Sequence, residues 1–130
     1  MTPARGEVLD SLRAYCLAKP GAQEGYPFGP GALVMKVGGK LFAIIGDEAD
    51  PPAVSLKCEP EIAVTLRSRY PAVAPGYHLN KRHWNTVALD GSIPDRLVRE
   101  WIDDSYDLVL EALPRAVRDG LRNGGREEVG

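Results

Sequence analysis

Seven consecutive residues, His78-Leu79-Asn80-Lys81-Arg82-His83-Trp84, bring together cations, amide donors and aromatic faces. That mixture contacts phosphate oxygens and stacks on bases. In such a role Lys81 and Arg82 neutralise phosphate, Asn80 and Asn85 hydrogen-bond, His78 and His83 stand beside them, and Tyr77 or Trp84 offers a flat platform. Lys57, Arg67 and Arg69 could extend the patch. The competing reading of the same residues is architectural. Trp84 opens a strand and would then belong to the core, Asn80 and His83 would bond the loop's own backbone, and Lys81 and Arg82 would be ordinary surface cations.

A second chemistry needs a nucleophile, a base and a charge stabiliser in one cleft. Cys58 with His78 or His83, and Lys57 or Arg82 beside them, supply all three on paper. Strand alternation, however, places Cys58 on a buried face, where cysteine packs as a small inert hydrophobe. No catalytic residue is assigned on this basis. Metal ligation is not expected either: His78 and His83 are five apart in a loop, no Cys-x-x-Cys is present, and Cys16 lies on a core-facing helix. Gly38-Gly39 is followed by a strand and not by a helix N-terminus, so it is a turn and not a phosphate cradle, and no cofactor is expected. Tyr26-Pro27-Phe28-Gly29 could form an aromatic contact surface, but the commoner outcome packs Phe28 against the sheet edge.

These residues sit in a chain of 130, with 44% hydrophobic and 26% charged residues, the ordinary make-up of one globular domain. The net charge of −2 argues against a protein that coats nucleic acid uniformly. Its distribution is uneven. Between Ala53 and Asn85 five cations face two anions, whereas between Asp90 and Leu113 seven carboxylates face Arg96 and Arg99. A basic face and an acidic, solvated helix face follow. The longest apolar run, Leu41 to Ile45, is far short of the roughly 18 residues that span a bilayer. Arg5, Glu7 and Asp10 break the order of a signal peptide. The expectation is a cytoplasmic monomer with both thiols reduced.

The elements that must position the site are legible from turns and periodicity. Thr2 and Pro3 signal the start of a helix carrying Val8, Leu9, Leu12, Tyr15 and Cys16, and Pro20-Gly21 ends it, with Lys19 its last residue. Leu33 to Val37 and Lys40 to Ile45 read as strands joined by a primed two-residue turn. That turn opposes Val37 to Lys40, Met35 to Phe42 and Leu33 to Ile44, which predicts a core face of Leu33, Met35, Phe42 and Ile44. A third strand directs Val54, Leu56 and Cys58 inward and Ser55 and Lys57 outward. Pro60 opens a short helix with Ile62, Ala63 and Leu66 inward, and Pro71 ends it. An ordered loop from Ala72 to His83 leads into a strand from Trp84 to Leu89. Ser92 or Ile93 caps the longest helix, whose stripe is Leu97, Val98, Trp101, Ile102, Val109, Leu110 and Leu113. The order is α-β-β-β-α-β-α: an α+β fold with an antiparallel sheet packed against helices. Residues 1–114 form the domain, and 115–130 are a charged, glycine-containing extension, in part flexible, with at most a turn or two of helix.

The chain resembles the MmcQ/YjbR family of small bacterial proteins. The resemblance rests on Tyr26-Pro27-Phe28-Gly29, Met35-Lys36-Val37-Gly38-Gly39-Lys40, Leu56-Lys57-Cys58, Pro75 through Val87, and Ser105-Tyr106-Asp107-Leu108-Val109. It runs from about Leu9 to Pro114, and its specific part is Gly76 to Asn85. It implies a CyaY-like fold, also called a double-wing arrangement, and a DNA-binding role. An iron role suggested by that fold analogy would need an acidic first helix, and here only Glu7 and Asp10 are available.

Three functions are therefore carried forward. The first is a module that binds DNA or another polyanion through Tyr77 to Asn85 with Lys57. The second is a protein-interaction or accessory domain without nucleic-acid affinity, and the third a small-molecule enzyme around Lys57, Cys58, His78 and His83. Convergence of Lys57, Lys81, Arg82 and the histidines on one open face would favour the first.

Overall fold

The computed structural model describes residues 5–76 and 79–127, without the side chains of Arg5 and of residues 122–127. Thr2 and Pro3, expected to open the first helix, lie outside the described residues. Helix α1 (Arg5–Leu17) is followed by strands β1 (Gln23–Gly25), β2 (Leu33–Val37), β3 (Lys40–Gly46) and β4 (Ala53–Lys57). Then come helix α2 (Pro60–Arg69), strands β5 (Val73–Pro75) and β6 (Trp84–Ala88), and helices α3 (Asp95–Ala112) and α4 (Arg115–Glu127). The strands form one antiparallel sheet in the order β1-β2-β3-β4-β6-β5. The fold is α+β, as the periodicity predicts.

Three elements exceed the expected seven. Strands β1 and β5 are three-residue edges, too short to show alternation, and they exist because β2 and β6 offer them unpaired backbone. Helix α4 is longer than the one or two turns that its few apolar residues predict. It is held by Leu121, which packs against the core over Gly21, a residue at φ 74° where a Cβ would overlap the Leu121 side chain.

The hairpin between β2 and β3 corrects the expected register. Gly38 and Gly39 both have positive φ, 56° and 80°, as a primed turn requires, and Val37 does oppose Lys40. A bulge then intervenes, so Met35 pairs with Ala43 and Leu33 with Ile45, in place of Phe42 and Ile44. Its effect is to bury two successive residues, Phe42 and Ala43, and to put Ile45 rather than Ile44 in the core. Phe42 meets the edge of the Tyr106 ring at a centroid distance of 5.2 Å.

Helix α3 lies across the sheet with Val98, Ile102, Ser105, Tyr106, Val109 and Leu110 buried. Ser105 is the polar member of this stripe, and it is fully buried. Its hydroxyl donates to the carbonyl of Phe42 at 2.5 Å and accepts the amide N–H of Lys57 at 2.8 Å. Strands β3 and β4 pair from Gly46 with Ala53 to Ala43 with Leu56, so the bulged Phe42 has no rung to β4. The serine supplies a bridge in its place. Two smaller departures have similar local causes. Ser92 donates from both its amide and its hydroxyl to Asp90, serving the turn before α3, which leaves Pro94 as the N-cap. Ile62, expected inward, is 51% exposed, whereas Ala63 is buried and Leu66 packs against the core as expected.

Register alone defines the sheet face turned away from α3. Val34 pairs with Ile44, Ile44 with Ser55 and Ser55 with Thr86. Two residues along each strand, alternation brings Lys36, Lys57 and Trp84 to the same face. Ser105→Ala should leave the Phe42 carbonyl and the Lys57 N–H buried without a partner, at a cost of about 1–3 kcal/mol. Urea denaturation checks this, with the exposed Ser68→Ala as a control expected to change stability by less than about 0.5 kcal/mol.

Candidate nucleic-acid interface

At the end of the sheet where β3 and β4 part, a broad hollow is lined by Lys36, Lys40, Lys57, Phe28 and Trp84, with the last turns of α3 as its far wall. Lys57 and Trp84 are direct cross-strand neighbours, close enough for their side chains to touch. Lys36 and Lys57 are half-buried along their stems and Lys40 is exposed, so the ammonium groups reach solvent over apolar surface. Among the described residues none of the three forms an ion pair, and no carboxylate lines the hollow. Phe28, expected against the sheet edge, is instead 71% exposed. The turn that carries it is held by the Gly29 N–H donating to the Tyr26 carbonyl at 3.1 Å and by the Tyr26 hydroxyl donating to Asp47 at 2.9 Å. Trp84, for which core and platform are the competing readings, is partly buried and lies outside the core cluster.

The rest of the expected patch lies elsewhere. Arg67, Lys81 and Arg82 line a separate depression beside Pro60, Glu61 and Val64. Much of its polarity is already committed. Arg67 donates to the Asn85 side-chain carbonyl at 2.8 Å and to the Lys81 backbone carbonyl, and Asn85 in turn donates to the Ala63 carbonyl at 3.3 Å. Asn85 is therefore a buried clamp between β6 and α2 rather than an exposed donor. Lys81 donates to the Gly76 carbonyl at 3.0 Å. The Asn80 side chain accepts the Arg82 amide at 2.9 Å, which closes the turn into β6. Arg69 lies over the Tyr70 ring at 5.8 Å, in neither hollow. Tyr77 and His78 lie outside the described residues. Of the expected site, Lys57 and Trp84 come together, while Lys81 and Arg82 form their own cluster.

Sequence reasoning does not single out Lys36 and Lys40, and it weighs Phe28 as a contact surface only to favour its packing on the sheet edge. The signal for the first was present: Lys36 and Lys57 are the outward polar positions of two apolar strands, and membership of one sheet puts them on one face. That β4 separates β3 from β6, which brings Trp84 alongside, has no counterpart in local pattern.

A family model described as YjbR matches residues 17–108, a span that contains every one of these lysines and both aromatic residues. The Escherichia coli (strain K12) protein YjbR, named only as uncharacterized, is 43% identical over 110 residues, covering 85% of this chain and 93% of its own length. This chain belongs to the YjbR family. The uncharacterized protein YbdF of Escherichia coli O157:H7 is 33% identical over 115 residues, 88% of this chain and 94% of its own. The crystal structure of Deinococcus radiodurans protein DR2400, with family-model domain DUF419, has a similar fold: TM-score 0.82, 41% identity, 87% of this chain and 86% of that one.

In this YjbR-family chain the elements of the enzyme reading come together only in part. Lys57 lines both the lysine hollow and, with Cys58, the cleft between α2 and α3 beside Ile62, Leu66, Trp101 and Asp104, whereas His83 lines neither. Cys58 is half-buried, not fully inside as alternation predicts, because the strand has ended and its N–H turns to the His83 carbonyl at 2.7 Å. No hydrogen bond joins the His83 side chain to the thiol among the described residues. Burial pushes the Cys58 thiol up, and the nearby Asp104 carboxylate adds to it. Asp104 is itself raised by burial and then by Asp107, Asp103 and Glu100 on the same helix. Among the described residues no three His, Cys, Asp or Glu side chains form a metal-binding group, and no helix is long and apolar enough to cross a membrane.

Cys16 is held higher still, pushed up to about 12 by burial. Alkylation by iodoacetamide, which needs the thiolate, should therefore be slow at Cys58 near pH 7 and accelerate only above the free-cysteine range of about 8.5. Cys16 should stay unmodified in the folded protein. The sign for stability follows: each folded thiol keeps its proton where the unfolded one has lost it, so the fold weakens as pH rises above 9.0 toward about 12. Mass spectrometry of tryptic peptides across a pH series reads the first effect, and rapid labelling of Cys58 at pH 7 would restore the nucleophile.

Proposed function

We propose that this protein is a nucleic-acid-binding module, without catalysis, whose contact surface is the hollow formed by Lys36, Lys40 and Lys57 with Phe28 and Trp84. The observation that carries the reading is the concentration of three lysines, none paired with a carboxylate among the described residues, at one end of a sheet beside exposed aromatic surface. Like charges held together repel one another, so the cluster does nothing for the stability of the free protein. A polyphosphate backbone removes that repulsion and releases its own counterions on binding. Arg82, whose side chain makes no ion pair among the described residues, gives a second point of contact from the neighbouring depression. The acidic helix α3 turns Asp107 and Glu111 toward the α2 cleft and away from the lysines, with Asp104 nearer to Lys57, which favours a polyanion on the lysine side of the molecule.

A protein partner is the second reading, favoured by Ile62 and Val64 of α2, which are 51% and 61% exposed. Fluorescence anisotropy with a labelled duplex and a labelled single strand across a salt series separates the two. The combined variant Lys36→Ala/Lys40→Ala/Lys57→Ala should weaken binding and flatten the slope of log K against log salt by about 2–3, the loss of three phosphate contacts. Its melting temperature serves as the control for folding. Lys81→Ala should have less effect than Arg82→Ala, because the Lys81 ammonium is already engaged by Gly76. An absence of binding to either nucleic acid at low salt sinks the reading in favour of a protein partner.

A further inference from the structure

Building on that proposed function, we infer that the hollow takes a single-stranded stretch of nucleic acid, with unstacked bases against Phe28 and Trp84 and the backbone along the lysines. The inference rests on the aromatic rings and not on the charge. A ring that is 71% exposed on a tight turn forgoes burial that the sheet edge could have supplied, and the turn that carries it is cross-braced to Asp47 through Tyr26. On the other side of the hollow Trp84 is fixed through its backbone. The Gly76 N–H donates to the Trp84 carbonyl at 2.8 Å, and a Cβ on Gly76 would stand 2.7 Å from the Trp84 Cβ, so the strand closes on Trp84 only because residue 76 is glycine. The backbone that carries each ring is thus braced before any ligand arrives.

A duplex has little use for such platforms. Its bases are stacked on one another, and only their edges reach the grooves. A single strand presents free π-faces at every base, and stacking on aromatic side chains is tolerant of sequence. Lys57, the cross-strand neighbour of Trp84, puts a cation at the edge of one platform, and Lys36 and Lys40 continue the charge across β2 and β3. A row of three ammonium groups flanked by two rings matches a strand that stacks bases at the ends of the hollow and lays its backbone along the lysines between.

The test compares a labelled thymidine oligonucleotide with a duplex of equal length by anisotropy at matched salt, using wild type, Phe28→Ala, Phe28→Tyr and the triple lysine variant. Phe28 is exposed, so its replacement leaves the fold intact. The expected result is tighter binding of the single strand, a loss of about five-fold or more in Phe28→Ala, and retention in Phe28→Tyr. The salt slope should be the same in wild type and Phe28→Ala, because no charge is removed. Tryptophan emission should fall as the unlabelled strand stacks on Trp84. Equal or tighter duplex binding, with Phe28→Ala silent and the triple lysine variant weakened, overturns the single-strand inference and leaves the polyanion reading standing. Loss of all binding to both oligonucleotides at low salt overturns both.

Discussion

The Ser105 hydroxyl carries the connection between β3 and β4 at the end where the two strands part. The bulge at Phe42 puts an extra residue into β3, and the cost of that residue is a carbonyl and an amide that the ladder can no longer join. A helix that merely covered the sheet with apolar side chains would leave both groups buried and unmet. Ser105 answers each with one oxygen, accepting from Lys57 and donating to Phe42. Much of the rest depends on this arrangement. The bulge buries Phe42 under Tyr106 and allows the lysines at the strand ends to spread around a hollow. The seating of α3 against the bulge brings Val109 and Ala112 to the far wall of that hollow.

Charge follows the same division. The net value of −2 conceals a cationic end of the sheet and an acidic flank of α3. Some of the carboxylates on α3 are balanced locally: Asp103 pairs with Lys19 and accepts from Tyr15, and Asp95 pairs with Arg99 at 2.7 Å. These exposed or partly exposed pairs contribute little to stability. The Asp103 contacts are positional, because through Tyr15 and Lys19 they tie the end of α1 to α3, whereas Asp95 and Arg99 pair within α3 itself. The Cys58 thiol, beside Asp104, is disfavoured as a thiolate on two counts, burial and charge. Apart from Asp104, which shares a cleft with Lys57, the acids of that flank line surfaces separate from the lysine hollow, so the charge is unevenly spread despite its small net value.

The long elements were legible because they carry period. Helix α3 shows its stripe over five turns, while β2 and β3 are marked instead by apolar runs on either side of a Gly-Gly turn. What escaped had no local signature. A bulge depends on whether the core has room for a second buried residue, which only the fit of Tyr106 against Phe42 decides. The two edge strands acquire their conformation from their neighbours. The site was half legible for a related reason. Composition identifies cations in the loop after Gly76, but not which of them the fold uses internally. Lys57 was found through alternation, while Lys36, equally outward in its own strand, was passed over because its partner in the site lies two strands away in the sheet and not nearby in sequence.

Asn85 illustrates how that internal use is decided. It lies in a run of polar residues and reads as a ligand contact, yet its strand turns it toward the core, where an amide without partners would cost more than any exposed contact could return. The fold resolves this by bringing Arg67 to its carbonyl and the Ala63 carbonyl to its amide. Arg67 is then drawn down onto the loop, and its second contact, with the Lys81 carbonyl, fixes the loop's path. One buried amide thus removes an arginine from the surface and shapes the segment on which Lys81 and Arg82 are carried. The cations left for an external anion are those attached to strands whose outward positions need no internal partner. That is why, among the described residues, Lys36, Lys40 and Lys57 are left without internal partners, while the densest basic run in the sequence leaves only the Arg82 side chain so.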